Sequence, residues 1–328
     1  MSITKTLLSY DQFKQMLLEM LEALIPPEAA LHLQSVTKNN QIHLDGLAIL
    51  NTDKNISPTI YINYYYDDYV DHFGSQIEDD AISTESFADE LSHYFLDLSH
   101  TILKIHQENL PPTNFNVDFF QDFENVKEQL VFKLVNYDKN KDLLRKIPHI
   151  PYLDLAIVFL CYLDPLFGSN ATILITNEHL NLWKIKDQML YEIAIHNTPK
   201  ILPEELSTME ELIGNLMLSS GDECFEGAFC DSCASDMYIL SNASKVFGAS
   251  CILYQNLLHH LSDHFSSSFY LLPSSIHEVI LIPTRDSSCL SQFTQMVREV
   301  NEAQLRAEEI LSDHAYYYDR SKKALMYC

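Results

Sequence analysis

The sequence predicts an α+β protein, an antiparallel sheet built of hairpins with amphipathic helices packed on it. Three observations predict this. Apolar residues recur three or four apart in some stretches and alternate in others, so helical and strand periods are both present. Strand-like stretches come in pairs around turn-forming residues, as in "LHLQSVTKNNQIHL" and "YLLPSSIHEVILIP". Helices punctuate these pairs without a regular strand–helix–strand alternation, which argues against a doubly wound parallel sheet.

In chain order, residues 10–25 carry apolar side chains at 13, 16, 17, 20, 21, 24 and 25. That is one helical face, closed by Pro26-Pro27. "ALHLQSVTKNNQIHLDGLAIL" reads as two strands about Lys38-Asn39-Asn40, and "SPTIYIN" (57–63) as a third. Phe87, Leu91, Phe95, Leu98, Ile102 and Ile105 define a long amphipathic helix entered through Ser83 or Thr84 as a cap. "QLVFKLVNYD" (129–138) reads as a strand, and "LDLAIVFLCYLDPLFGSNATILITN" as a buried hairpin followed by helical material through "NEHLNLWKIKDQMLYEIAIHN". Beyond an acidic, cysteine-bearing segment come strands at "DMYILSN" and "FGASCILY" and a helix at "QNLLHHLSDHF". The hairpin 268–283, a helix through "LSQFTQMVREVNEAQ" and a closing hairpin at "HAYYYDRSKKALMY" complete the chain. Prolines in "RKIPHIPY" place a boundary between regions 1–147 and 148–328, unless the two form one continuous domain.

Composition excludes several functions. The seven glycines stand at 46, 74, 168, 214, 221, 227 and 248, so neither GxGxxG nor GxxxxGK[ST] exists to cradle a phosphate. The formal charge is −25. Between Lys54 and Lys127 the only basic residue is Lys104, against fourteen acids, and none lies between Lys200 and Lys245, against nine. Such a surface repels phosphate backbones, so neither a nucleic acid nor an anionic membrane is expected as a partner. It serves either a basic protein partner or solubility alone. The N-terminal residues lack the apolar stretch of a signal peptide, and the longest apolar run, 153–163, is about half of what spanning a bilayer needs. Seven scattered cysteines fit a reducing compartment, hence a cytoplasmic protein.

The stretches "VTKNN" (36–40), "ISPTIYI" (56–62), "LDLAIVF" (153–159), "NATILI" (170–175), "LPSSIHEVIL" (272–281), "REVN" (298–301), "EILSD" (309–313) and "YYYDR" (316–320) resemble a family of domain-of-unknown-function proteins from clostridial Firmicutes. The resemblance runs from near residue 10 to the end. The second half is similar, more weakly, to another uncharacterised family found in bacilli. The resemblance implies a bacterial cytosolic protein and brings no activity with it.

Four groups of residues invite a chemical reading. Ser275 and His277 sit two apart and share a strand face, as a nucleophile and base would, but Glu278 points the other way and no GxSxG elbow accompanies them. Pro273-Ser274-Ser275 is good turn chemistry in its own right. Cys224, Cys230 and Cys233 form "CFEGAFCDSC", whose Cys-x-x-Cys is half of a zinc site; Cys251, His259 or His260 would have to complete it. The alternative is an acidic loop with reduced thiols. His260 and His264 share a helix face without the HExxH pattern and read as exposed histidines. Tyr61, Tyr64, Tyr65, Tyr66, Tyr69 and Phe73 beside Asp67, Asp68 and Asp71 read either as a partner anchor or as half-buried core. Together these point to a non-enzymatic interaction or regulatory protein with an acidic surface. The alternative is a hydrolase, zinc-assisted or using Ser275 and His277. No other cofactor is expected.

Overall fold

The structure is a computed structural model describing residues 6–51, 57–77, 83–110, 117–163, 171–211, 237–284 and 287–327. Two compact units divide it, Met1–Lys38 with His43–Phe115, and Asn39–Ile42 with Asn116–Cys328. The division falls near 115, and the strands on either side of 147 hydrogen-bond to one another in a single sheet.

In the first unit α1 (Tyr10–Leu24) is started by a capping box of Ser9 and Gln12. A three-stranded antiparallel sheet follows, β1 (Ala29–Thr37), β2 (His43–Asn51) and β3 (Thr59–Tyr61), in that spatial order. Two helices complete the unit, α2 (Ile62–Ile77) and α3 (Thr84–Glu108), the latter capped by Ser83. Its core takes Phe13, Leu17 and Leu21 from α1, Leu47 and Ile60 from the sheet, Tyr69 and Phe73 from α2, and Phe87, Leu91, Phe95 and Ile102 from α3. Tyr69 stands at the centre, its ring 5.2 Å from those of both Phe13 and Phe73. Its hydroxyl accepts a hydrogen bond from the Leu8 amide, which offsets part of the cost of burying a phenol.

The second unit holds two sheets. One is β4 (Leu130–Asn136), β6 (Leu155–Tyr162) and β5 (His149–Tyr152) in spatial order, with β7 (Thr172–Leu174) also on β6. All eight residues of β6 are buried, as its unbroken apolar run requires. The other sheet collects β8 (Glu204–Thr208), β9 (Tyr238–Asn242), β10 (Ser268–Pro273), β11 (Val279–Thr284), β12 (Tyr316–Asp319) and β13 (Ala324–Tyr327) in the spatial order β13-β12-β10-β11-β9-β8. Every pairing among the described residues is antiparallel, so the fold is α+β. The short α4 (Phe123–Val126) and α5 (Lys141–Leu144), then α6 (Asn177–Trp183), α7 (Asp187–Ile201), α8 (Leu257–His264) and α9 (Leu290–Gln304) make up its α-helices among the described residues. Phe132, Ile157 and Phe159 of one sheet share a core with Leu240, Phe269, Leu271 and Leu281 of the other.

The residues "FGASCILY" depart from the expected strand and form a buried 3-10 turn, Gly248–Leu253. Phe247 enters it in the left-handed region, φ 56°. A side chain at Gly248 would collide with the Ser241 hydroxyl and the His277 carbonyl oxygen, so this β-propensive stretch is bent by what surrounds it.

Candidate functional site

At Ser275 and His277 the turn between β10 and β11 consumes its own polar atoms. The Ser275 hydroxyl accepts from the His277 amide at 3.0 Å, and the Ser275 amide donates to the Glu278 carbonyl at 3.2 Å. The His277 ring lies parallel to Phe247, and its Nδ1 accepts from the Phe247 amide at 3.3 Å. Burial pushes the His277 pKa down, against the opposing field of Glu309. No hydrogen bond among the described contacts joins the Ser275 hydroxyl to the imidazole.

Cys224, Cys230 and Cys233 lie outside the described residues. Of the residues proposed to complete their site, Cys251 is buried, donates to the Ser241 carbonyl and has its thiol pushed up to about 12 by burial. His259 is half-buried and His260 exposed, as is His264. No group of three or more His, Cys, Asp or Glu among the described residues is arranged to hold a metal ion. The tyrosine-rich stretch is divided by α2, which buries Tyr69 and Phe73, half-buries Tyr64, Tyr65 and Tyr66, and exposes Asp67, Asp68 and Asp71.

A different constellation gathers in the second unit, where a pocket of about 390 Å³ is lined by Lys139, Arg298, Asn301, Glu302, Ile310, Asp313 and His314. Three segments meet there: the turn after β4, the outer turns of α9, and the stretch leading into β12. Positions 294, 298 and 301 follow helical spacing, so one stripe of α9 stitches that last stretch in place. Thr294 accepts from the Ala315 amide at 3.2 Å, Arg298 donates through Nε to the Asp313 carbonyl at 3.2 Å, and Asn301 donates to the Ser312 carbonyl at 3.0 Å and the Asp313 carboxylate at 2.9 Å. Lys139 Nζ meets the same carboxylate at 2.9 Å. Burial works to raise the Asp313 pKa, but these two donors outweigh it and hold the group below the usual carboxylate range.

Asparagines fix the approach. Asn136 donates to the Leu311 carbonyl at 3.1 Å and accepts from the Lys139 amide. Asn140, fully buried, donates to the Asn136 carbonyl and to Asn40, whose own amide group reaches the Ala307 and Ile310 carbonyls, both at 2.8 Å. Asn40 has φ 58°, a conformation asparagine tolerates better than most residues. Behind the pocket the Ser312 and Tyr316 hydroxyls each donate to Asp154 at 2.6 Å.

Two polar groups are left over among the described contacts. Among the described contacts Arg298 makes no ion pair, and its one bond, through Nε, leaves both terminal amino groups without a partner. His314 Nδ1 is buried and has no hydrogen-bond partner. The pocket thus gathers polar groups from all three segments. Sequence reasoning missed it because Lys139, Arg298, Asn301, Asp313 and His314 come from three separate segments. The signal available was the helical spacing of polar Arg298 and Asn301 beside buried Val297, in a stretch otherwise read only as an amphipathic helix.

The fold and site together define an α+β protein with a polar, ligand-sized pocket. The chain belongs to a family of unknown function, DUF5688, whose model matches residues 10–320. No curated protein and no solved structure matches it. Among the described residues no helix is long and apolar enough to cross a membrane.

Proposed function

We propose that this chain is a non-enzymatic binding and regulatory protein, and that its pocket at Lys139, Arg298, Asn301, Asp313 and His314 takes a small ligand through an anionic group. One observation carries the reading: among the described contacts the terminal amino groups of Arg298 make no hydrogen bond or ion pair in that pocket, while Asp313 is already neutralised by Lys139. Guanidinium donors match a carboxylate or phosphate in a planar fork. The net charge of −25 acts as a filter, because it repels extended polyanions more strongly than a compact anion. In the same reading the exposed carboxylates Asp67, Asp68 and Asp71 of α2 and Asp89 and Asp97 of α3 face a basic protein partner. A cytosolic setting is supported by Cys161, Cys251 and Cys289, all free thiols.

The test uses the Ile310 methyl group, which lines the pocket, as a reporter in methyl-labelled full-length protein. Titration with acetate and with inorganic phosphate is expected to shift that resonance saturably, and Arg298→Ala to abolish the shift. An Ile310 resonance that neither anion moves, or that moves equally in Arg298→Ala, overturns the reading.

A further inference from the structure

The pocket carries an anion as well as a spare cation. Arg298 and Glu302 are four residues apart on α9, the spacing at which opposite charges usually pair. Here they do not: Arg298 is turned to the Asp313 carbonyl, and Glu302 makes no ion pair among the described contacts although it lines the same pocket. Asp313 and Lys139 cancel one another at 2.9 Å. What faces the pocket is therefore a guanidinium and a carboxylate, neither in an ion pair among the described contacts, side by side along a helix. Four residues of helix place their Cα atoms about 6 Å apart.

We infer that the ligand is a compact zwitterion, with a carboxylate bound by Arg298 and an ammonium group bound by Glu302, its two charges separated by several bonds as in an ω-amino acid or a dipeptide. This rests on the reading of the pocket as a ligand site. A plain anion would satisfy Arg298 but be repelled by Glu302, and a plain amine the reverse; only a molecule bearing both charges gains from both ends. The spacing disfavours an α-amino acid, whose charges share one carbon and do not span a helical turn. Ile310 supplies the one apolar lining side chain, enough to cover a short methylene or peptide spacer.

Three probes separate the contributions: glycylglycine, N-acetylglycylglycine with its amine masked, and glycylglycinamide with its carboxylate masked. Each is titrated against the Ile310 methyl resonance of full-length protein. Glycylglycine is expected to bind, and each masked form to bind at least about tenfold more weakly, the value of one charge-assisted contact. Glu302→Gln should cost glycylglycine a similar factor, while N-acetylglycylglycine, relieved of the carboxylate's repulsion, binds no more weakly than to the wild type. Glu302 is exposed and makes no bond, so the variant should keep the wild-type unfolding midpoint, which is measured alongside. If the acetylated dipeptide binds as tightly as the free one, or if acetate binds and glycylglycine does not, the zwitterion is wrong and the anion site stands. If acetate, phosphate and glycylglycine all leave Ile310 unmoved, both readings fall.

Discussion

Two regions of the second unit hold the same kinds of side chain and differ in what those side chains have left to give. At residues 275–278 a serine, a histidine and a glutamate lie within one tight turn, yet the serine hydroxyl and the histidine Nδ1 are both committed to backbone amides. At residues 298–314 an arginine, an asparagine, an aspartate and a histidine also bind backbone and one another, but a guanidinium and an imidazole nitrogen remain over. The lesson is one of hydrogen-bond capacity. Residue types that could do chemistry define a site only where their donors and acceptors exceed what the fold itself takes up.

The comparison breaks most visibly at Gly248. If the 275–278 turn is purely structural, packing against it should be intolerant, and Gly248→Ala is expected to cost about 3 kcal/mol through overpacking against Ser241 and the His277 carbonyl. Denaturant unfolding measures this directly. A loss below about 1 kcal/mol would mean that the turn yields, and that its side chains are less firmly committed than their hydrogen bonds imply.

A paired substitution sharpens the contrast. Ser275→Ala removes the acceptor for a half-buried amide and should cost about 1 kcal/mol without altering the anion titration at Ile310. Arg298→Ala, at an exposed helix position, should change stability by less than about 0.5 kcal/mol while abolishing that titration. Finding both effects at one residue would erase the distinction between the regions.

The smallest expected effect is a pH dependence at His277. Its folded pKa lies below the unfolded value of about 6.5, so between the two the unfolded chain binds more protons. Stability contributed by the neutral ring is present above that unfolded value and is lost as pH falls toward the folded pKa. His277→Gln should flatten this part of the stability-against-pH curve; an unchanged slope would show that the ring is not held neutral by its burial.

Much of the fold was legible in the sequence, and the reasons are local. Phe13, Leu17 and Leu21, or Phe87, Leu91 and Phe95, mark a helix face whatever they pack against, and Ser9 and Ser83 announce the helix starts. The alternation and turn residues of 268–284 and 316–327 define hairpins in the same way, since register and turn are set within a dozen residues. Strand β8 was not foreseen: "EELST" is short and polar, and it is a strand because β9 offers it a partner.

What the sequence determined by itself was therefore the class of protein, its acidity, the lack of phosphate-cradling glycine motifs, and most of its elements, because periodicity, charge and turn chemistry act between near neighbours. Tertiary structure alone decided the division near 115, the bending of "FGASCILY" into a turn, and the pocket. Lys139 and Asp313 stand 174 residues apart in the chain and 2.9 Å apart in space, and no local pattern records that meeting. It is produced by sheet pairing, by the asparagine bonds that hold 307–311 against the turn after β4, and by one stripe of α9. Whether a polar side chain is spent or spare depends on partners that only folding supplies.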